Sequence, residues 1–263
     1  MPFNDALPDA LVSLTSFGAA EVRRHGQLWF AELCEQAGAQ GVEVREELLV
    51  NASTELPALA AWLGTTRLRS VYSCPQPLFA QDGRLDGAAL AHAIGAAGVL
   101  GAPWLKMSIG RFAPPSAEAA AQDFAALAAA VGRAGLTLLI ENDQTPGAGS
   151  IRALRRFFEA ADAAGLALPM TFDMGNWHYV GECPHEAARV FAARVGYVHA
   201  KGVQRRDTKW VAVPLAQSGA AWRTLLDALP PAAPRAIEYP LVSDDLLACT
   251  RDELQALRSA TCV

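Results

Sequence analysis

The sequence predicts one domain over residues 1–263, folded as a (β/α)8 TIM barrel. Two observations predict it. Short apolar runs of strand length alternate eight times with longer, alanine-rich runs of helix length. Each strand-plus-helix unit takes about thirty residues, which suits eight parallel strands closed by right-handed crossovers better than an open sheet. The composition permits such a core, because 52% of the residues are hydrophobic.

The first strand is expected over residues 11–15 and its helix over 20–37, stopped by Ala37-Gly38. The second strand, 41–46, places Glu43 and Arg45 on one face, and helix 55–63 follows. Strand 68–73 leads to helix 87–100. Strand 104–109 carries Lys106 and Ser108, and helix 116–134 opens at Pro114-Pro115-Ser116 with Glu118 and stops at Ala134-Gly135. Strand 136–141 and helix 151–164 follow, the latter stopped by Ala164-Gly165. The last three units pair strand 170–173 with helix 184–194, strand 195–199 with helix 220–229, and strand 236–239 with helix 243–260. Ser243-Asp244-Asp245 starts that final helix. The alanine content of the helices reflects helix propensity, and the chain shows no linker or repeat beyond the βα period.

The formal net charge is -5, with no long basic run, which argues against nucleic acid or an acidic membrane surface as partner. The first ten residues lack the charged and apolar regions of a secretory signal, and no apolar stretch reaches the length of a bilayer span. Cys34, Cys74, Cys183, Cys249 and Cys262 are odd in number and form no close pair. Free thiols and a cytoplasmic location are therefore expected. Exposed alanine-rich helix faces make a homodimer an expectation as well.

In a barrel of this type, chemistry belongs at the C-terminal ends of the strands. The fifth to eighth strands end in ionisable groups: Glu141, Asp173, His199 and Glu238. Three carboxylates meeting in a mouth of low dielectric would repel one another, and a divalent cation would resolve the conflict. Three oxygen donors and an imidazole suit one Mn²⁺, Mg²⁺, Co²⁺ or Zn²⁺, with coordination positions left for substrate oxygens. A lone Glu at a strand end is more often a cap or a salt-bridged residue than a ligand, and Asp173 or His199 alone could cap a turn or pack. Their occurrence on four successive strands favours the metal.

With those residues, the chain resembles the xylose-isomerase-like barrel superfamily. It is most similar to the sugar isomerase/epimerase branch with ketose 3-epimerases, hydroxypyruvate isomerase and inosose dehydratase. The matching segments are Leu139-Ile140-Glu141-Asn142, Phe172-Asp173-Met174-Gly175-Asn176, Val198-His199-Ala200-Lys201 and Ile237-Glu238-Tyr239. The resemblance implies that all four strand-end residues bind the metal and that Glu141 and Glu238 also carry protons as the acid/base pair. It implies a metal-dependent isomerase or epimerase acting beside a carbonyl on a small sugar or keto-acid substrate. One departure is visible. Many epimerases of the branch have a substrate-contacting His three residues after the strand-six Asp, and this chain has Asn176, followed by Trp177 and His178.

Glu43, Arg45, Lys106, Asn176, His178 and Lys201 are the expected substrate contacts. Ser108 shares a strand face with Lys106. Arg205 and Arg206 fall in a loop after the seventh strand, and Tyr72, Trp177 and Trp210 offer either an apolar wall for a sugar ring or core packing. His25, His92 and His185 fall on helices away from the mouth. A dehydratase on the same scaffold and a non-catalytic sugar-binding barrel are the alternatives. An abasic-site endonuclease would need further histidines at the strand ends, and a Schiff-base aldolase on Lys201 would leave the carboxylates without a purpose.

Overall fold

The computed structural model describes residues 8–260. Residues 1–7, part of the leader reading, and Cys262 lie outside the described residues. In chain order the elements are β1 (Ala10–Ser13), α1 (Ala19–His25), α2 (Gln27–Gln36), β2 (Gly41–Arg45), α3 (Ala52–Leu63), β3 (Arg69–Ser73) and α4 (Gly87–Leu100). There follow β4 (Trp104–Ser108), α5 (Ala117–Ala134), β5 (Thr137–Glu141), α6 (Pro146–Gly149), α7 (Ile151–Ala163), β6 (Met170–Asp173), α8 (Asn176–Tyr179) and α9 (Pro184–Phe191). The chain ends with β7 (Val195–Ala200), β8 (Gly202–Arg206), β9 (Lys209–Val213), α10 (Trp222–Asp227), β10 (Arg235–Ile237) and α11 (Leu246–Ser259).

Eight of these strands close into a parallel barrel in the order β1-β10-β7-β6-β5-β4-β3-β2, a (β/α)8 TIM barrel. Residues of odd number on β1, β3, β5 and β7 point inward. Leu11, Val71, Leu139 and Tyr197 meet with Ala236 as a separate buried apolar cluster, with Trp104 packed against it. This is the floor of the barrel, built from alternate strands. Two residues further along each strand the inward positions turn polar, at Glu43, Lys106, Glu141, Asp173 and His199. The period of two thus sets the polar layer directly above the apolar one.

The helices seal the outside. In α7 the residues Ile151, Leu154, Phe157, Phe158 and Ala161 are buried on one face, the spacing of an amphipathic helix against a sheet. Caps start the helices where the sequence signals them. Ser116 accepts from the Ala119 N–H at 3.1 Å, and Asp245 accepts from the Ala248 N–H at 2.9 Å.

Three expectations change. Helix 20–37 is two helices, broken at Gly26, whose φ of 81° lies in the left-handed region that favours glycine. The loop after the seventh strand contains an antiparallel hairpin, β8–β9, pairing Gly202 with Val213 and Arg206 with Lys209. Arg205 and Arg206 are therefore strand residues, and Asp207 turns the chain with φ 53°. The last barrel strand ends at Ile237, one residue before Glu238. Among the described residues, Cys34, Cys74, Cys183 and Cys249 are free, and no helix is long and apolar enough to cross a membrane.

Candidate metal centre at the barrel mouth

Glu141 ends β5 and Asp173 ends β6. His199 lies one residue from the end of β7, and Glu238 follows β10. Each offers one donor atom, and the four atoms lie within 4.8 Å of one another. His199 is the hub. Its Nδ1 is 2.9 Å from Glu141 Oε1, 3.1 Å from Glu238 Oε2 and 3.9 Å from Asp173 Oδ2.

The other face of the imidazole is fixed. His199 Nε2 donates to Glu43 Oε2 at 2.7 Å, and both side chains are fully buried. That contact orients the ring and leaves Nδ1 to face the carboxylates, the arrangement in which a carboxylate supports a metal-ligating histidine. Tyr197 sits two residues before His199 on β7, with its ring centroid 5.2 Å away at an edge angle.

Asp173 is held by its neighbours. Asn142 clamps its backbone, with Asn142 Nδ2 donating to the Asp173 carbonyl at 3.0 Å and Asn142 Oδ1 accepting from the Asp173 N–H at 2.8 Å. Asp173 Oδ1 accepts from the N–H groups of Gly175 and Asn176 at 2.8 and 3.0 Å. Only Oδ2 faces the cluster.

Sequence reasoning left Lys201 open between a substrate contact and a salt bridge across the mouth, and Glu43 and Arg45 between substrate and each other. The structure shows the ion pairs. Arg45, Lys106 and Lys201 bring three positive charges to Glu43, Glu141, Asp173 and Glu238. Lys106 Nζ donates to Glu141 Oε2 at 2.5 Å, and Arg45 NH1 bridges Glu43 Oε1 and Glu238 Oε1 at 2.9 Å each. Lys201 Nζ lies 2.6 Å from both Asp173 Oδ2 and Glu238 Oε2. The reason is again the period of two: these cations share the inward faces of β2 and β4, or extend that of β7.

The titration behaviour follows from the ion pairs. Burial alone would raise the Glu43, Glu141 and Glu238 carboxyls. The nearby His199, with Lys106 at Glu43 and Glu141 and Lys201 at Glu238, outweighs burial and holds all three low, Glu141 at about 2. Burial opposes the charged form of His199, yet Glu238 and Glu43 push its pKa well above the ordinary value. Without a bound cation, the imidazole is therefore protonated at neutral pH.

The residues fit a divalent cation. The donor set is three carboxylate oxygens and one imidazole nitrogen. His199 Nδ1 and Glu238 Oε2 are buried and have no aligned hydrogen-bond partner, although charged groups crowd within 3.1 Å of each. A proton on Nδ1 has no acceptor along its bond direction, and a larger cation among the four atoms would satisfy all of them.

The expected substrate contacts divide by what they already touch. Glu43 is fully buried under His199. Arg45 also engages Glu47, with NH2 2.9 Å from Glu47 Oε1. Asn176 Nδ2 donates to the Asn142 carbonyl at 2.9 Å, and its Oδ1 accepts from Gln144 Nε2 at 3.1 Å and from Lys201 Nζ at 3.2 Å. Asn176 thus steadies Lys201. His178 lies apart on α8, against Trp210 of the hairpin at 4.8 Å, and with Lys201 it lines a mostly apolar cavity of about 250 Å³. Trp177 is in the core between Phe172 and Phe191, and Tyr72 is buried with its hydroxyl donating to Glu46 Oε2 at 2.9 Å. Neither forms a wall of the mouth. Ser108 donates to Asp143 Oδ2 at 2.6 Å. Sequence reasoning missed Asn142 as the clamp on Asp173, although its place beside Glu141 at a strand end was a signal.

The family of xylose isomerase-like TIM barrels matches residues 31–258. No match is found among curated proteins. Among solved structures, a xylose isomerase-like TIM barrel/4-hydroxyphenylpyruvate dioxygenase fusion protein superposes with TM-score 0.73 at 14% identity. The match covers 96% of this chain, which spans 42% of the fusion protein. An L-ribulose 3-epimerase gives TM-score 0.67 at 16% identity, covering 97% of this chain and 94% of its own. The IolI protein, solved with a bound zinc atom, gives 0.65 at 12% identity and covers 96% of each chain. At these identities the structural likeness establishes the shared barrel. The family match extends over most of the sequence, and with the closed barrel it shows that this chain belongs to the xylose isomerase-like TIM barrel family.

Proposed function

We propose that the chain is a divalent-metal-dependent isomerase or epimerase, removing a proton beside the carbonyl of a small sugar or hydroxy-keto compound. One observation carries the reading: the donor atoms of Glu141, Asp173, His199 and Glu238 converge within 4.8 Å, around an imidazole nitrogen that a buried Glu43 orients from behind. The family match and the epimerase neighbour support it.

A bound Mn²⁺, Mg²⁺, Co²⁺ or Zn²⁺ would supply Lewis-acid stabilisation of negative charge on substrate oxygens, worth several kcal/mol. The chain supplies the proton carriers. Glu141 and Glu238 are built alike. Glu141 turns Oε1 to the cluster and rests Oε2 on Lys106, and Glu238 turns Oε2 to the cluster and rests Oε1 on Arg45. Both are ionised at neutral pH and enter turnover as bases. One takes the proton to its own oxygen, and the other, once it has picked up a proton from solvent, delivers it to the opposite face, which gives epimerisation. Return to the neighbouring carbon gives isomerisation. The substrate is a small sugar or keto acid, and a cytoplasmic homodimer acting without nucleic acid or membrane completes the reading.

Metal analysis of the purified protein, then a screen for deuterium uptake from D2O by ketoses, inososes and hydroxypyruvate, tests it. Metal-dependent exchange at the carbon beside the carbonyl is expected. Release of water instead marks a dehydratase. Tight metal binding with no exchange across the panel marks a binding protein.

A further inference from the structure

We infer that Lys201 is the resident cation of the cluster and competes with the divalent metal for Asp173 Oδ2 and Glu238 Oε2. The inference rests on the metal reading and adds to it a built-in competitor. The ammonium is 2.6 Å from each of these two oxygens. They are the same atoms that Asp173 and Glu238 turn towards His199 Nδ1, so an ion shared by the four donors must contend with Nζ for two of them.

The placement is built. Asn176 Oδ1 accepts the third contact of Nζ at 3.2 Å and is itself tied to Gln144 and Asn142. The aliphatic stem crosses directly over Gly175. A Cβ at that position would lie 2.7 Å from Lys201 Cδ and 2.8 Å from Cγ, so a glycine is needed for the stem to pass. Only 8% of Lys201 is exposed, and a buried ammonium is kept charged only where carboxylates surround it. Lys106 is a different case. It holds Glu141 through Oε2 while Oε1 faces the histidine, so it adds charge without occupying a donor.

A site of this kind is assembled before an ion arrives, and it binds the ion more weakly than the bare donor set would. Entry of the metal releases an ammonium beside it.

The test is Mn²⁺ binding to the metal-stripped full chain, followed by electron paramagnetic resonance and calorimetry, with circular dichroism to verify folding. Lys201→Met is expected to tighten Mn²⁺ binding roughly tenfold or more, the scale on which two ligands of one site oppose each other. Gly175→Ala, which pushes the stem aside and keeps the charge, is expected to tighten it in the same direction and stands in if Lys201→Met does not fold. Lys106→Met removes an equal charge and is expected to gain clearly less. Unchanged affinity in the folded Lys201 and Gly175 variants would overturn the competition while leaving the metal reading intact, and so would an equal gain in Lys106→Met. Absence of any divalent-ion binding in wild type and variants alike would overturn both.

Discussion

His199 and Glu43, 156 positions apart in the chain, meet at 2.7 Å between Nε2 and Oε2 with neither side chain reached by solvent. Closing the barrel brings them together, because β2 and β7 are on opposite sides of the β1–β10 pair. Glu43→Gln keeps the shape and removes the charge that supports the imidazole. Metal affinity is expected to fall about 10–100-fold. Calorimetric titration with Mn²⁺ checks it, and an affinity equal to wild type would deny Glu43 this role.

Glu141→Gln and Glu238→Gln are each expected to abolish deuterium exchange on any substrate found, while the circular dichroism spectrum stays that of the barrel. Both side chains sit at the mouth, 14% and 10% exposed, where an amide fits the same space. Wild-type exchange in either variant would remove that residue from the proton path.

Uptake of a cation by the metal-free protein is expected to expel a proton. The carboxylates around His199 hold its pKa well above the ordinary value, against the opposing effect of burial, so the imidazole starts protonated at pH 7. An ion on Nδ1 replaces that proton. Affinity therefore rises with pH. Calorimetry in two buffers of different ionisation enthalpy gives the number of protons released, and a value of zero would contradict the expectation.

Acid should unfold the metal-free barrel over a defined window. The Glu141 carboxyl drops from 4.5 to about 2 on folding, worth about 3 kcal/mol at neutral pH, and Glu43 and Glu238 shift in the same direction. A depressed carboxyl stabilises fully above its unfolded value and loses that contribution as pH falls through the folded one. Stability is expected to decline from about pH 4.5 towards pH 2. Urea melts across that range check it, and Glu141→Gln should flatten the slope.

Asn142→Ala removes both side-chain contacts to the Asp173 backbone and leaves buried groups unpaired. A loss of about 1–3 kcal/mol in a urea melt is expected, together with weaker Mn²⁺ binding.

The barrel was legible because its signals are local. Alternating apolar runs mark the strands, and glycines after Ala37, Ala134 and Ala164 mark helix ends. The four candidate ligands were legible because strand ends face the mouth, so position along the chain is enough to bring them together. Their supports were not. That Glu43 lies behind His199, that Arg45 reaches Glu238 and that Lys201 threads over Gly175 depend on which strands become neighbours across a closed barrel. The β8–β9 hairpin escaped because its alternation, Val203, Arg205 and Val211, Val213, is interrupted by charge and lacks an Asn-Gly or Asp-Gly turn. The break at Gly26 was hidden because helix-forming residues run up to it from Ala19 and on from Gln27, so that both helices read as one.

The apolar plug of Leu11, Val71, Leu139, Tyr197 and Ala236 stops the barrel from being a through-passage. The mouth is then the one way in for any ion or substrate that the proposed site takes up. Glu43 and His199 sit at the bottom of that shaft and the cluster oxygens just above them, so a substrate seated over the cluster blocks the way for anything below it. On the proposed reading, an ion held by the four donors would bind beneath a substrate at the mouth. A substrate or inhibitor that covers the four donors is then expected to slow removal of the metal by chelators, because the floor offers no second exit.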